Sequence, residues 1–243
     1  MKKIAILLLT MLMVTAAQAQ RRTDSFTTPS GKTVKITAIK HASILIQYEG
    51  KEIHVDPVAD LIKPVTDYSQ FSKAHIILIT HEHPDHFDRE AIVQLRQTTT
   101  VIYEPVSVYN RWLNGFAMNN GDSVSIAADI QLKAVPAYNT TPGREQMHPR
   151  FRDNGYVLTL DGLRIYIAGD TEDVPEMAQL GPIDIAFLPC NQPYTMTVEQ
   201  LVKAAQVIKP RVLYPYHYSE TPISKVPLLL SGSGIDVRIR DFK

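Results

Sequence analysis

The chain has 243 residues, 44% of them apolar, enough for one large domain with a real core or for two small ones. Lysine plus arginine equals aspartate plus glutamate at 25 each, so no charge excess points to nucleic acid or an anionic membrane, and no acidic tail is evident. The single cysteine, Cys190, excludes an intramolecular disulfide framework.

Met1, Lys2 and Lys3 give a positive start, followed by an apolar run over residues 4–14 and the small-x-small pattern Ala17-Gln18-Ala19. This reads as a secretory signal peptide over residues 1–19, and hence as a secreted, periplasmic mature chain with a formal charge near −2. An uncleaved anchor is the alternative. The run is short against the ~20 apolar residues that span a bilayer, and no stable membrane anchor is expected after cleavage. Residues 20–30 are polar and contain Pro29, which predicts a flexible leader. Residues 31–243 hold no linker-like or low-complexity stretch and read as a single domain.

Strands dominate this domain. "TVKITAI" (33–39) alternates apolar and polar positions, and "SILIQY" and "KEIHVD" form a hairpin around Glu49-Gly50. "AHIILIT" (74–80) is continuously apolar, as befits a strand covered on both faces. Asp88 is a candidate N-cap for a helix over 89–97, and "TTVIYE" (99–104) is the next strand. "DIQLKAV" (129–135), then "GYVLTL" and "LRIYIAGD" around Asp161-Gly162, and "IDIAFLP" (183–189) continue the strand pattern. Thr197 with Gln200 predicts a capping box opening a helix over 198–208, before the strand "RVLYPYH" (211–217). "LIQYEGKEIHVDP" and "VLTLDGLRIYIAGD" are both hairpins with an acidic-Gly turn that close on an aspartate, Asp56 and Asp170. They suggest two similar halves: two sheets face to face with helices outside, an α/β fold.

"THEHPDHFD" (80–88) places three of the eight histidines within six positions, interleaved with Asp85, at the end of a buried strand. Alternating positions in an extended loop point to one side, so His81 and His83 can grip one ion, with Asp85 and His86 facing a second. Mixed imidazole and carboxylate ligation suits zinc, iron or manganese in a hydrolytic site.

These residues resemble the H-x-H-x-D-H signature of the metallo-β-lactamase superfamily. "AGDT" (168–171) resembles its strand-end aspartate, and "YPYHYSET" (214–221) its last ligand motif. "IKHASILIQYEGKEIHVDP" (39–57) resembles the opening of the branch containing ascorbate-6-phosphate lactonase and phospholipase-D-like hydrolases, with Lys40 where glycine is usual. The resemblance implies an αββα four-layer sandwich and two divalent ions, zinc first, with manganese or iron as alternatives. One ion would take His81, His83 and a mid-chain histidine, and the other Asp85, His86 and His217, with Asp170 bridging. The family places the mid-chain histidine just after a "P-A" strand end, where Asn139 stands here. His148 is the only histidine between His86 and Asp170 and is assigned that role, which requires the loop around it to fold back over the metals.

The implied activity is metal-dependent hydrolysis of an ester, lactone or phosphodiester in a small-molecule substrate, with Asp85 or Asp170 handling the proton of the attacking water. A β-lactam hydrolase, a di-iron redox member and an inactive metal-binding module stay open as alternatives. Arg144, Arg150 and Arg152 flank His148 and could bind an anionic group or form a solvated charged loop. Tyr138, Tyr194 and Tyr218 could wall a pocket. His41 reads as an outer partner of the site, a substrate contact or a structural histidine. Asp56 could support a ligand histidine. Cys190 reads as a small buried hydrophobe, with a metal-binding thiolate as the minor alternative.

Overall fold

The computed structural model describes residues 23–242; the expected signal peptide lies outside the described residues. β1 (Thr23–Thr27), β2 (Thr33–Lys40), β3 (Ser43–Tyr48) and β4 (Lys51–Val55) form an antiparallel series. β5 (Ile76–Leu78), β6 (Val101–Pro105) and β7 (Phe116–Met118) extend it in parallel, giving a seven-stranded sheet in chain order. The second sheet repeats this plan. β8 (Ser123–Ala127), β9 (Ile130–Ala137), β10 (Asp153–Leu160) and β11 (Leu163–Ile167) are antiparallel. β12 (Ile185–Pro189), β13 (Val212–Tyr216) and β14 (Asp236–Val237) then run in parallel. The two hairpins that suggested a repeat are β3–β4 and β10–β11, which occupy equivalent places in the two sheets.

The sheets share one apolar core. Val34, Ile44, Ile46 and Leu78 of the first meet Leu132, Tyr156, Leu158 and Ile165 of the second. A separate cluster joins the first sheet to α1 (Arg89–Leu95) and α2 (Val106–Trp112) through Leu45, Ile77, Ile92, Leu95 and Val108. On the second half α3 (Val198–Ile208) turns Leu201, Ala204, Ala205 and Ile208 inward. Its capping box is complete: Gln200 N donates to Thr197 Oγ1 at 3.1 Å and Thr197 N to Gln200 Oε1 at 2.9 Å. A short α4 (Val226–Leu229) comes after β13. The result is the α/β sandwich that the strand pattern implied. No helix among the described residues is long and apolar enough to cross a membrane.

The flexible leader expected over 20–30 needs correction from Thr23 onward. Thr23–Thr27 is β1, an edge strand paired with β2. Asp24 receives two bonds from Arg240 at 2.7 Å and one from the Tyr214 hydroxyl at 2.8 Å. Thr28 donates to Asp161 Oδ2 at 2.6 Å. The polar side chains that made the segment look unstructured are the groups that fasten it, because each finds a partner far away in the chain.

Candidate metal centre

β4, β5, β11 and β13 all end at one edge of the sandwich, and the candidate residues come directly after those ends, where open α/β sheets bind ligands. After β5 the chain makes a tight turn, with His86 N and Phe87 N both donating to His83 O at 3.0 and 2.9 Å. Asp88 then caps α1 by accepting from Glu90 N at 2.9 Å. Asn154 N donates to Thr80 O at 3.0 Å and the Tyr156 hydroxyl to Ile79 O at 2.8 Å, fastening this loop to β10 of the other half. Gly169, at φ +66°, brings Asp170 close. A Cβ there would lie 3.0 Å from Asn154 O and 3.1 Å from Thr80 Cβ, so the approach needs glycine.

The residues expected to bind metal meet in one place. His81 Nε2 lies 3.1 Å from His83 Nδ1, His83 Nδ1 3.3 Å from His148 Nε2, and His148 Nε2 3.4 Å from Asp170 Oδ2. Beside them, Asp85 Oδ2 lies 3.8 Å from His86 Nε2 and 3.4 Å from His217 Nε2. Asp170 faces this second group as well, with Oδ1 3.4 Å from His86 Nε2 and Oδ2 3.4 Å from His217 Nε2. Donors around one tetrahedral ion with ~2.1 Å bonds stand about 3.4 Å apart, so these spacings fit metal ligation. Asp170 Oδ1, His86 Nε2 and both ring nitrogens of His217 are buried without a hydrogen-bond partner among the described residues. Opposed buried lone pairs are costly unless a cation lies between them, so the donor set fits divalent metal.

The electrostatics agree with that chemistry at His81, His83 and His148 and run against it at His86. Burial, reinforced by neighbouring His86, holds His81 well below its usual pKa; burial also takes His148 down to about 4 and lowers His83. Neutral imidazoles are the form that ligates. Burial resists ionisation of Asp170, but His217 and His86 outweigh it and hold the carboxyl well below its usual range. The same contest raises His86 well above its usual value, burial being overcome by Asp170 and Asp85.

Supporting groups fix the ring orientations. Asp56, fully buried, accepts from Thr80 N at 2.8 Å, Thr80 Oγ1 at 2.6 Å and His86 Nδ1 at 2.8 Å. Thr80 Oγ1 also lies 3.0 Å from His81 Nδ1. One carboxylate thus directs the Nε2 lone pairs of both His81 and His86 toward the site. On the other side His148 Nδ1 lies 3.2 Å from Tyr194 O. The 139–149 loop folds back as anticipated: Asn139 N donates to His148 O at 2.9 Å, and Asn139 Nδ2 to Tyr194 O at 2.8 Å. Asn139 occupies the place expected for histidine and holds the loop that delivers His148. Buried Glu172 fastens the same loop through Thr140 N and Thr141 N at 2.8 and 2.7 Å.

The three arginines are engaged internally. Arg152 makes a two-point contact with Asp153 at 2.7 and 2.8 Å, Arg150 bonds Glu176 at 2.6 Å, and Arg144 bonds Gln192. Tyr138 and Tyr218 are buried and donate to Glu176 and Arg240 O, whereas Tyr194 is exposed beside His148. Cys190 is buried in the core, where burial pushes its thiol up to about 12, and it joins none of the candidate donor groups. His54 is buried against Tyr68 and Phe71, away from the donors. His41 lies 3.0 Å from Asp85, a contact its position in a turn did not specify.

A family model described as "Beta-lactamase superfamily domain" matches residues 35–217. The chain is 32% identical over 200 residues to a UPF0173 metal-dependent hydrolase from Pyrococcus furiosus, covering 78% of this chain and 86% of that one. Among solved structures it is similar to a Parabacteroides distasonis protein classed with the metal-dependent hydrolases: 52% identity, TM-score 0.88, 92% of this chain and 100% of the other. Igni18, a metallo hydrolase from Ignicoccus hospitalis, aligns at 25% identity and TM-score 0.72, over 86% and 95% of the two chains. With the fold, the clustered donors and these relatives together, the chain belongs to the β-lactamase superfamily and is a metal-dependent hydrolase.

Proposed function

We propose that this protein is a binuclear, zinc-dependent hydrolase of esters or lactones that works outside the cytoplasm. The carrying observation is Asp170, whose Oδ2 lies against His148 of the His81/His83/His148 group and His217 of the group formed by Asp85, His86 and His217 with His41 beside them, while its Oδ1 faces His86. Two bound divalent ions would lower the pKa of a shared water toward ~7 and polarise the oxygen under attack. The protein's own part is positioning and proton transfer. Asp170 is almost wholly buried with both oxygens turned to imidazoles, whereas the Asp85 side chain is 31% exposed. Asp85 therefore faces the open side and is the group that takes the proton of the attacking water at its free oxygen.

The engaged arginines take weight from a phosphodiester substrate, because a phosphate would have to displace Asp153 from Arg152 or Glu176 from Arg150. The mixture of imidazole and carboxylate donors accommodates zinc, with iron and manganese as alternatives, and the pattern of residues 1–19 supports the extracytoplasmic location.

Elemental analysis of the purified protein, with a hydrolysis screen over lactones, esters, phosphodiesters and β-lactams, tests the reading. Two zinc ions per chain and chelator-sensitive turnover of lactones or esters are expected. Full activity in metal-free protein would refute it, and iron with visible absorbance would move the assignment to redox chemistry.

A further inference from the structure

His41 occupies the turn between β2 and β3. Its counterpart in the second half, the loop between β9 and β10, carries His148. Both turns therefore bring an imidazole to the shared edge, but to different groups. His148 faces imidazoles and Asp170, while His41 Nε2 lies 3.0 Å from Asp85 Oδ2. A carboxylate oxygen only accepts, so His41 Nε2–H is the donor.

The backbone holds this placement firmly. His41 adopts φ +50°, in the left-handed region that non-glycine residues rarely occupy. It is kept there by His41 N donating to Phe242 O at 2.5 Å and by His41 O accepting from His217 N at 3.0 Å. His217 itself stands at φ +46°, and the two rings lie 3.9 Å apart. On the far side of the turn, buried Lys40 donates to the carbonyls of Ala59, Ile62 and Pro64 at 2.6, 2.5 and 2.8 Å. Backbone strain of this kind persists where surrounding contacts over-determine it, and such positions cluster at functional sites.

Asp85 needs such a partner. Of the two donor carboxylates it is the more solvent-accessible, in a loop where His81 and His86 are oriented by Thr80 and Asp56. We propose that His41 is the positioning residue for Asp85, holding its carboxylate against the Asp85/His86/His217 pocket so that this pocket keeps its ion. The inference rests on reading the two donor groups as metal sites.

The test is a zinc titration of metal-free full-length mature protein against a chromophoric chelator, comparing wild type, His41→Ala and His41→Gln. Gln places an amide N–H at a similar reach and meets the same backbone demand as Ala. Removing an outer hydrogen-bond partner of a metal ligand costs roughly 10–100-fold in metal affinity. The expected result is two ions bound by every variant, with one site of His41→Ala weakened by that factor, the other unchanged, and most of the loss recovered in His41→Gln. Cobalt-loaded His41→Ala should keep the ligand-field spectrum of the wild type, since no ligand is removed.

Wild-type affinity at both sites in His41→Ala overturns the proposal. So does loss of one ion with an altered cobalt spectrum, which would make His41 a ligand. Failure of the wild type itself to bind zinc overturns the metal-site reading together with this inference, and is distinguished from the other two by the wild-type titration alone.

Discussion

Replacing Asp56 by asparagine should weaken metal binding without removing a ligand. The carboxylate accepts three bonds inside the protein, from Thr80 N, Thr80 Oγ1 and His86 Nδ1. Asparagine can keep an oxygen toward Thr80 N, but its amide nitrogen then points at His86 Nδ1–H and the Thr80 hydroxyl, donor against donor. The local remedy is a tautomer switch: His86 accepts at Nδ1 and carries its proton on Nε2, the atom that faces Asp85 and Asp170. A protonated Nε2 cannot ligate. The loss of a hydrogen bond to a charged group is worth about 1.5–3 kcal/mol, which corresponds to roughly 10- to 150-fold in affinity. The assay is zinc competition at pH 7.5 on metal-free protein whose fold is verified by circular dichroism. Zinc affinity within twofold of wild type at both sites would refute the idea that Asp56 governs ligand tautomers.

Metal removal and acid provide two further checks. An ion present at ~1,000 times its Kd adds about 4 kcal/mol, so chelation should lower the melting temperature by roughly 8–16 °C in a domain of this size, reversibly on adding zinc; an unchanged melt contradicts a resident ion. His54 is buried with neither ring nitrogen hydrogen-bonded among the described residues, and burial takes its pKa down to about 4. The unfolded chain therefore binds a proton that the folded chain refuses, and stability falls as pH drops from about 6.5 to about 4, by up to roughly 3 kcal/mol. In metal-free protein His54→Leu should flatten that limb of a urea-midpoint profile, and a profile parallel to wild type would show that His54 is not its source.

The parts of the fold visible in the sequence were those whose cause is local. The Thr197–Gln200 capping box involves groups three residues apart, and both its bonds are present. Asp88 caps α1 within its own first turn. The motif after β5 declared itself because its donors are adjacent in the chain. The features that escaped were decided over long separations. β1 depends on Asp24 meeting Arg240, 216 positions away. The stretch between β6 and β8 yields α2 and a three-residue β7 with Phe116 exposed, too short to display a period and paired in parallel with β6. Arg150 looked available for a ligand because its partner, Glu176, lies 26 residues on. His41 was readable as a turn residue, yet its meaning depends on Asp85, 44 residues later.

The doubled plan of the sheets has a consequence for how the protein acquires its ions. His81 and His83 come from the first half, His148 and Asp170 from the second; Asp85 and His86 from the first, His217 from the second. Neither half contains a complete pocket, so an ion held at this edge is a clamp between them, and binding it is linked to their closure. A chain that stops short of residue 217 lacks a donor of the Asp85/His86/His217 pocket, so that pocket is completed only after the halves dock. The choice among zinc, manganese and iron then falls to the surroundings in which the two halves close, because geometry, ligand type and metal supply rather than raw affinity decide such competition.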